Sequence, residues 1–403
     1  MKFIHTGDWH IGKIVNEISM IEDQQFVLEQ LVKIIEEEKP DALVIAGDLY
    51  DRSVPSVEAV TLLDKVFSKI LLELNTPIIA IAGNHDSGER VSFASGILTK
   101  NKLYIQGNFN EGINKVELED SHGKVNFFLI PYAEPVVIRE LYKDPNIRTH
   151  EDAMKKLIEE IKKQSNYGDR NVIVAHGYVS FMGDIEEVAV DDLGEEKKKR
   201  AGLEVSDSER PLNIGGTDLI SGQVFEGFTY TALGHLHGPQ KVGSDRIRYS
   251  GSLLKYSFSE ARQRKGVTLV EVDAQGEVSV DIKDFKPRRD MRTIKGPLKE
   301  LINPDVYRGT NTEDYIFAVL TDEGELVDPI SKLRSVYPNI MGLSRENSIQ
   351  REGSKTAASL GYKTKGKAEL FKEFYKAISG KDIEADKLDI ITDIIRDVER
   401  VVK

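Results

Sequence analysis

The stretch Ala82-Gly83-Asn84-His85-Asp86 sets an amide, an imidazole and a carboxylate in a row, directly after the apolar run Pro77-Ile78-Ile79-Ala80-Ile81. Such a run reads as a short buried strand, stopped at Gly83. A carbonyl oxygen and an imidazole delivered together at a strand's carboxyl end suit a metal ion, and open α/β sheets bind ligands at that end. Alone, the stretch could be an ordinary polar turn. Four others repeat its design. Asp8-Trp9-His10 follows a strand pattern beginning at Lys2, and Gly47-Asp48 follows the apolar residues 42–46. His176-Gly177 follows residues 171–175, and Gly234-His235-Leu236-His237 follows residues 228–233. The candidate ligands are Asp8, His10, Asp48, Asn84, His176, His235 and His237. Singly, a strand-end histidine is more often a structural residue, and Asp48 could cap a helix. Together on one strand–helix alternation they point to a dinuclear centre.

Those residue types imply a chemistry. Two divalent cations held about 3.5–4 Å apart clamp both oxygens of an in-line phosphoryl displacement. Two ions need a bridging carboxylate, and Asp48 is the natural choice. Mixed imidazole, carboxylate and amide ligands suit Mn²⁺, Fe²⁺ or Zn²⁺ better than Mg²⁺ or Ca²⁺. His85 adjoins a ligand without having to be one. Its expected role is general acid, or stabiliser of the charge on the phosphoryl group and leaving oxygen.

Periodicity gives the elements that must carry these residues. Residues 20–38, with Val27, Leu31, Ile34 and Ile35 on one face, and residues 57–74 are predicted helices. With the strands around them they predict a parallel sheet covered on both faces. Residues 103–106, 115–118 and 125–130 read as further strands and 151–163 as a helix. The second half, through residue 282, reads as mainly antiparallel. Residues 181–225 show little periodicity and read as a long loop, with the charge run 195–200 a solvated face. The expected domains are 1–285, a small α+β unit at 286–343, a polar linker at 344–366 and a helical pair at 367–403. The pair carries Phe371, Phe374, Tyr375 and Ile378 on one apolar face and Ile391 and Ile395 on the other helix. It has too little core to stand alone and must dock, on the main body or on a partner.

Composition narrows the classes. The chain has 403 residues and no cysteine, which removes disulfides, thiolate sites and cysteine nucleophiles. No run approaches the roughly 18 apolar residues of a membrane span, and the N-terminus goes straight into a strand pattern. A cytoplasmic protein is the simplest reading. The net charge of −12 argues against a basic coat for nucleic acid. It leaves room for a metal centre as the positive charge that a phosphate meets.

Taken together, Asp-x-His, Gly-Asp, Gly-Asn-His-Asp, the strand-end His and Gly-His-x-His resemble the five motifs of calcineurin-like metallophosphoesterases. Four stretches are similar more narrowly to the bacterial SbcD family, the nuclease subunits of SbcCD complexes. They are Gly47-Asp48-Leu49-Tyr50-Asp51-Arg52, Ser208-Glu209-Arg210-Pro211-Leu212, Ala232-Leu233-Gly234-His235-Leu236-His237 and Tyr249-Ser250-Gly251-Ser252-Leu253-Leu254-Lys255-Tyr256-Ser257. The resemblance covers most of residues 1–285. In the tail, Glu369-Leu370-Phe371-Lys372-Glu373-Phe374-Tyr375 is similar to the family's partner-binding helix. The resemblance implies a four-layer α/β sandwich metallophosphoesterase domain, then a small α+β capping domain that touches DNA and a C-terminal helical pair. It implies one Mn²⁺ on Asp8, His10, Asp48 and His237 and another on Asp48, Asn84, His176 and His235, with His85 acting on the phosphate. Asp51, a His in archaeal and eukaryotic relatives, is expected to orient His85 or to serve a structural turn, and Asp86 to support the site.

The implied activity is a 3′→5′ exonuclease on duplex ends and an endonuclease on single strands and hairpins, working at the nucleoid in the cytoplasm. The implied assembly is a homodimer, formed through helices of the nuclease domain, whose terminal helices pack on the coiled-coil base of the SbcC ATPase. This chain has no Gly-x-x-x-x-Gly-Lys-Ser/Thr loop and is expected to bind no nucleotide alone. Lys286, Arg288, Arg289, Arg292 and Lys295 form a candidate DNA contact, with a solvated interdomain linker as the even alternative. Tyr256 and Phe258 read as core rather than as base-stacking residues. Two other readings stay open here: another phosphodiesterase or phosphatase on the same fold, and a non-enzymatic scaffold. The Ser-Glu-Arg loop and the Gly-Ser-Leu-Leu-Lys-Tyr-Ser stretch weigh against the first, and the complete ligand set weighs against the second.

Overall fold

The computed structural model describes residues 1–109, 112–166, 168–183, 185–190, 196–209 and 218–346, with Phe371, Lys372, Tyr375, Ile383, Lys387, Leu388, Ile391 and Thr392 beyond them. The chain divides into two units, Met1–Arg292 and Thr293–Lys403.

The first unit opens with β1 (Lys2–Thr6), α1 (Ile21–Glu38), β2 (Ala42–Ala46), α2 (Val57–Ser68), β3 (Ile78–Ile81) and β4 (Leu103–Gln106). The four strands pair in parallel in that order, because each return crosses over before re-entering the sheet. Helix α1 stops where Lys39 turns left-handed ahead of Pro40. Helix α2 starts at Ser56, whose hydroxyl accepts from the Ala59 amide. Next come β5 (Asn114–Asp120), β6 (Gly123–Ile130), α3 (His150–Gln164), β7 (Arg170–His176), β8 (Glu186–Val190), β9 (Glu196–Arg200) and β10 (Leu203–Val205). The unit closes with β11 (Tyr230–Gly234), β12 (Gln240–Val242), β13 (Ser244–Tyr249), β14 (Gly266–Val272) and β15 (Val278–Asp284).

Two six-stranded sheets result, ordered β15-β14-β1-β2-β3-β4 and β12-β13-β11-β7-β6-β5. Strand alternation sends Phe3, Val44, Ala46, Ile79 and Ile81 of the first and Phe127, Leu129, Val172, Val174 and Tyr230 of the second into one shared core. The other face of the second sheet, with Phe128, Ile130, Ile173 and Ala175, packs on Met154, Leu157, Ile158 and Ile161 of α3. This is the expected α/β sandwich.

Two details differ from the sequence reading. The second half is mixed rather than mainly antiparallel: β14 pairs antiparallel with β1 and β15 as expected, but β6, β7, β11 and β13 run parallel, with antiparallel pairing in their sheet confined to β5 and β12 at its edges. Helix α3 and the long path from β7 to β11 act as crossovers, returning the chain in its original direction. Nor is the segment after residue 181 a bare loop. Strands β8, β9 and β10 form a small antiparallel sheet in which Glu187 lies opposite Lys199 and Glu186 opposite Arg200. Opposite charges directly across a ladder favour that pairing, so most of the charge run forms a strand.

The strand β16 (Met291–Gly296), which leads into the second unit, forms one sheet with β17 (Tyr315–Leu320) and β18 (Ile340–Arg345), and α4 (Pro329–Arg334) precedes the last strand. Leu298, Leu301, Ile316, Ala318, Leu320 and Leu333 make its core. Phe371, Tyr375 and Ile391 are helical and half-buried. Phe374, Ile378 and Ile395 lie outside the described residues, as does most of the segment read as a linker. No helix among the described residues is long and apolar enough to cross a membrane.

Arg170 on β7 forks onto the Asp120 carboxylate of β5 at 2.7 and 2.8 Å. That guanidinium holds the Asp120 carboxyl well below the usual carboxylate range. A carboxyl depressed in the fold contributes stability that is complete above its unfolded value of about 4 and is lost as pH falls. Arg170→Met is expected to cost about 1.5–3 kcal/mol in urea unfolding at pH 7. Its midpoint should also drop less than that of wild type between pH 5 and pH 3. Parallel pH slopes would show that the pair contributes nothing.

Candidate metal centre

The seven candidate ligands sit at the carboxyl ends of five parallel strands drawn from both sheets. Asp8 and His10 follow β1, Asp48 follows β2, Asn84 follows β3, His176 ends β7, and His235 and His237 follow β11. Their loops are laced together. The Asp8 amide donates to the Gly47 carbonyl at 3.0 Å and the His10 amide to the Asp48 carbonyl at 2.9 Å. The His235 amide reaches both Asp8 carboxylate oxygens, at 2.9 and 3.1 Å. Asp8, His10, Asp48 and His235 all adopt positive φ, at 50°, 45°, 52° and 113°. Side-chain-bearing residues seldom take that conformation, and where they do it clusters at functional sites. Space dictates the glycines beside them. A Cβ on Gly83 would lie 2.2 Å from Asp48 Oδ1, one on Gly47 2.3 Å from His176 Nδ1, and one on Gly234 1.8 Å from the Ala46 carbonyl oxygen.

The donor atoms converge. His10 Nε2 and His237 Nε2 face each other at 3.0 Å, and His176 Nε2 lies 2.9 Å from Asn84 Oδ1. A gap of about 3 Å is what adjacent ligands keep around one ion at bond lengths of about 2.1 Å. Asp48 Oδ2 lies 3.6 Å from the Nε2 atoms of both His10 and His176, between the two groups, as a bridge requires. The His235 ring packs 5.5 Å from that of His176.

Burial pushes His176 down to about 4 and holds His10, His235 and His237 below their ordinary values. The imidazoles are therefore neutral, the form that binds metal. Burial and the charge of Asp48 push Asp8 up. Burial also raises Asp48, to about 6, although His85 pulls the other way. Crowded buried carboxylates are relieved by a cation. His10 Nδ1 is buried and has no hydrogen-bond partner among the described residues. Neutral imidazoles, carboxylates and an amide oxygen thus fit divalent transition ions.

Around the ligands, His85 turns Nδ1 to the Asp51 carbonyl oxygen at 2.9 Å, and its amide donates to Asp48 Oδ1 at 2.8 Å. It is therefore the peptide carbonyl of Asp51 that orients His85. The Asp51 carboxylate instead pairs with Lys13 at 2.7 Å and lies 3.8 Å from His10 Nδ1. The Asp86 carboxylate accepts the amides of Leu49, Tyr50 and Gly83, each at 3.0 Å, clamping two loops together. Gln24 of α1, absent from the sequence reading, donates to the His10 carbonyl and to the Tyr256 hydroxyl, which in turn donates to the Trp9 carbonyl. Ser208, Glu209, Glu260 and Lys265 surround His237. Of these residues, Ser208 and Glu209 lay in a stretch the sequence had marked. Tyr256 is buried, as expected of core. Arg288 and Arg289 reach Glu22 of α1, and Arg289 also pairs with the buried Asp23.

Residues 1–238 match the family model for calcineurin-like phosphoesterase, and residues 287–378 match one described as the Type 5 capsule protein repressor C-terminal domain. A curated relative, the SbcD subunit of the nuclease SbcCD from Staphylococcus epidermidis, is 32% identical over 402 residues, covering 99% of this chain and 100% of the relative. Two solved structures show low similarity. One, from Thermus thermophilus, has a TM-score of 0.35 and 12% identity, over 70% of this chain and 98% of that one. The other, a dimetal phosphatase from Danio rerio, has a TM-score of 0.37 and 12% identity, over 71% and 98%.

Gly83→Ala forces a methyl group against Asp48 and tests the close approach. The methyl also lands 2.5 Å from the Asp48 backbone nitrogen, so the variant is expected to melt at a lower temperature without metal and to lose most of the further rise that Mn²⁺ is expected to give wild type. An undiminished Mn²⁺ response would show that Asp48 can shift without consequence.

Proposed function

Because the chain belongs to the calcineurin-like phosphoesterases, in their SbcD family, we propose that it is a Mn²⁺-dependent DNA nuclease working beside an SbcC ATPase. Family membership makes it a metal-binding phosphodiester hydrolase; the metal's identity and the modes of cleavage are the proposal. The observation that carries it is Asp48 Oδ2, equidistant from two imidazoles in two ligand groups. Asp8, His10, Asp48 and His237 would hold one ion, and Asp48, Asn84, His176 and His235 the other. When bound, the ions supply Lewis acidity and the positive charge that an acidic chain otherwise lacks at a phosphodiester.

The chain's own residues do the rest. His85 donates its Nδ1–H to the Asp51 carbonyl, so it acts in its doubly protonated form: Nε2–H turns to the substrate, where it stabilises charge on the phosphoryl group or gives its proton to the leaving oxygen. Asp86 and Gly83 keep the two loops that carry Asp48, Asn84 and His85 at fixed separation. The proposal extends to 3′→5′ exonuclease activity on duplex ends and endonuclease activity on single strands and hairpins. It also includes a homodimer, a capping role for the unit after residue 285 and docking of SbcC on the terminal helices. The relative's match over its whole length supports the shared assembly.

The test is cleavage of end-labelled duplex and hairpin DNA with Mn²⁺, Mg²⁺ or chelator. Cleavage is expected with Mn²⁺ and lost in Asp48→Ala. His85→Gln should still bind metal but cut about 10²–10⁴-fold more slowly. Hydrolysis of a small phosphodiester with no cleavage of DNA, with or without SbcC, would overturn the nuclease reading.

A further inference from the structure

His237 is gripped twice by one short segment. Its Nδ1 lies 2.6 Å from Ser208 Oγ, and its amide donates to Glu209 Oε1 at 2.8 Å. Ser208 Oγ in turn lies 2.5 Å from Oε1 of Glu260, a wholly buried carboxylate. The other Glu260 oxygen takes the Lys265 ammonium at 2.7 Å. Lys265 also donates to the His237 carbonyl at 2.7 Å and to Ser252 Oγ at 3.0 Å. Neither Glu260 nor Lys265 has a role in the hydrolysis described above.

The bond directions fix which nitrogen carries the proton. A buried carboxylate against an ammonium is ionised and can only accept. Ser208 must therefore give its hydroxyl proton to Glu260, and its oxygen accepts from His237 Nδ1–H. That leaves Nε2 of His237 with a free lone pair, aimed at the position it shares with His10. Glu260 could not do this directly, because its nearer oxygen is 3.6 Å from Nδ1, beyond a hydrogen bond. The serine hydroxyl spans the gap.

We propose that Ser208 is a positioning residue: with Glu260 it forms a hydroxyl-bridged relay that locks His237 in its Nδ1–H form and so sets the affinity of one of the two metal positions. The inference rests on the two-metal reading above. Partners of this kind keep a ligand's ring and tautomer fixed, and their loss weakens metal binding about 10–100-fold.

The experiment is Mn²⁺ binding to the full chain, followed by the electron paramagnetic resonance of the free ion, in wild type, Ser208→Ala and Ser208→Thr. Wild type is expected to bind two ions. Ser208→Ala should weaken one by about 10–100-fold and leave the other unchanged. Ser208→Thr, which keeps the hydroxyl, should restore it. Two wild-type sites in Ser208→Ala, equal weakening of both, or failure of threonine to rescue would each overturn the relay and leave the two-metal reading standing. Fewer than two ions on wild type would overturn both.

Discussion

The structure depends on the burial of one negative charge. The Asp48 carboxylate is 2% exposed, one oxygen holding the His85 amide and the other set between two imidazoles that burial keeps neutral. A carboxylate taken out of water among neutral groups is costly unless a positive charge answers it. The surroundings are built to keep that demand rather than to satisfy it internally. The backbone around Asp48 is in the left-handed region, and the neighbouring loops come too close for any residue but glycine. These are costs a purely structural loop has no reason to bear.

The rest of the unit makes that arrangement rigid. Five parallel strands end at one edge, and their shared core holds both sheets in register behind it. Three amides on Asp86 and one shared by both oxygens of Asp8 then tie loop to loop with charge-assisted bonds, the stronger class of hydrogen bond. The candidate ligands are thus placed by the backbone and need little freedom of their own.

The convergence of the candidate ligands was legible in the sequence because each follows a continuous apolar run, and such runs mark buried parallel strands whose ends are predictable. The direction of the second sheet was not. A run such as 171–175 reads the same whichever way its neighbour runs, and only the crossovers decide. The ladder of β8 and β9 was hidden because its pairing rests on charges, Glu187 against Lys199, rather than on apolar alternation. Asp51 shows a finer limit: its position beside His85 was legible, but spacing does not say whether side chain or carbonyl makes the contact. Gln24, Glu260 and Lys265 are joined to the site only by tertiary folding, so no local pattern could name them.

The centre also has a mechanical side. Asp8, His10, Asp48 and Asn84 come from one sheet and His176, His235 and His237 from the other, across a span from residue 8 to residue 237. An ion held by both sets would be a crosslink closing a very long loop, in a chain whose lack of cysteine denies it the covalent kind. Its strength would follow the free metal concentration rather than the redox state of the surroundings. Such a staple would add to stability where the ion is plentiful and add little where it is scarce, with the shared core still holding the two sheets together.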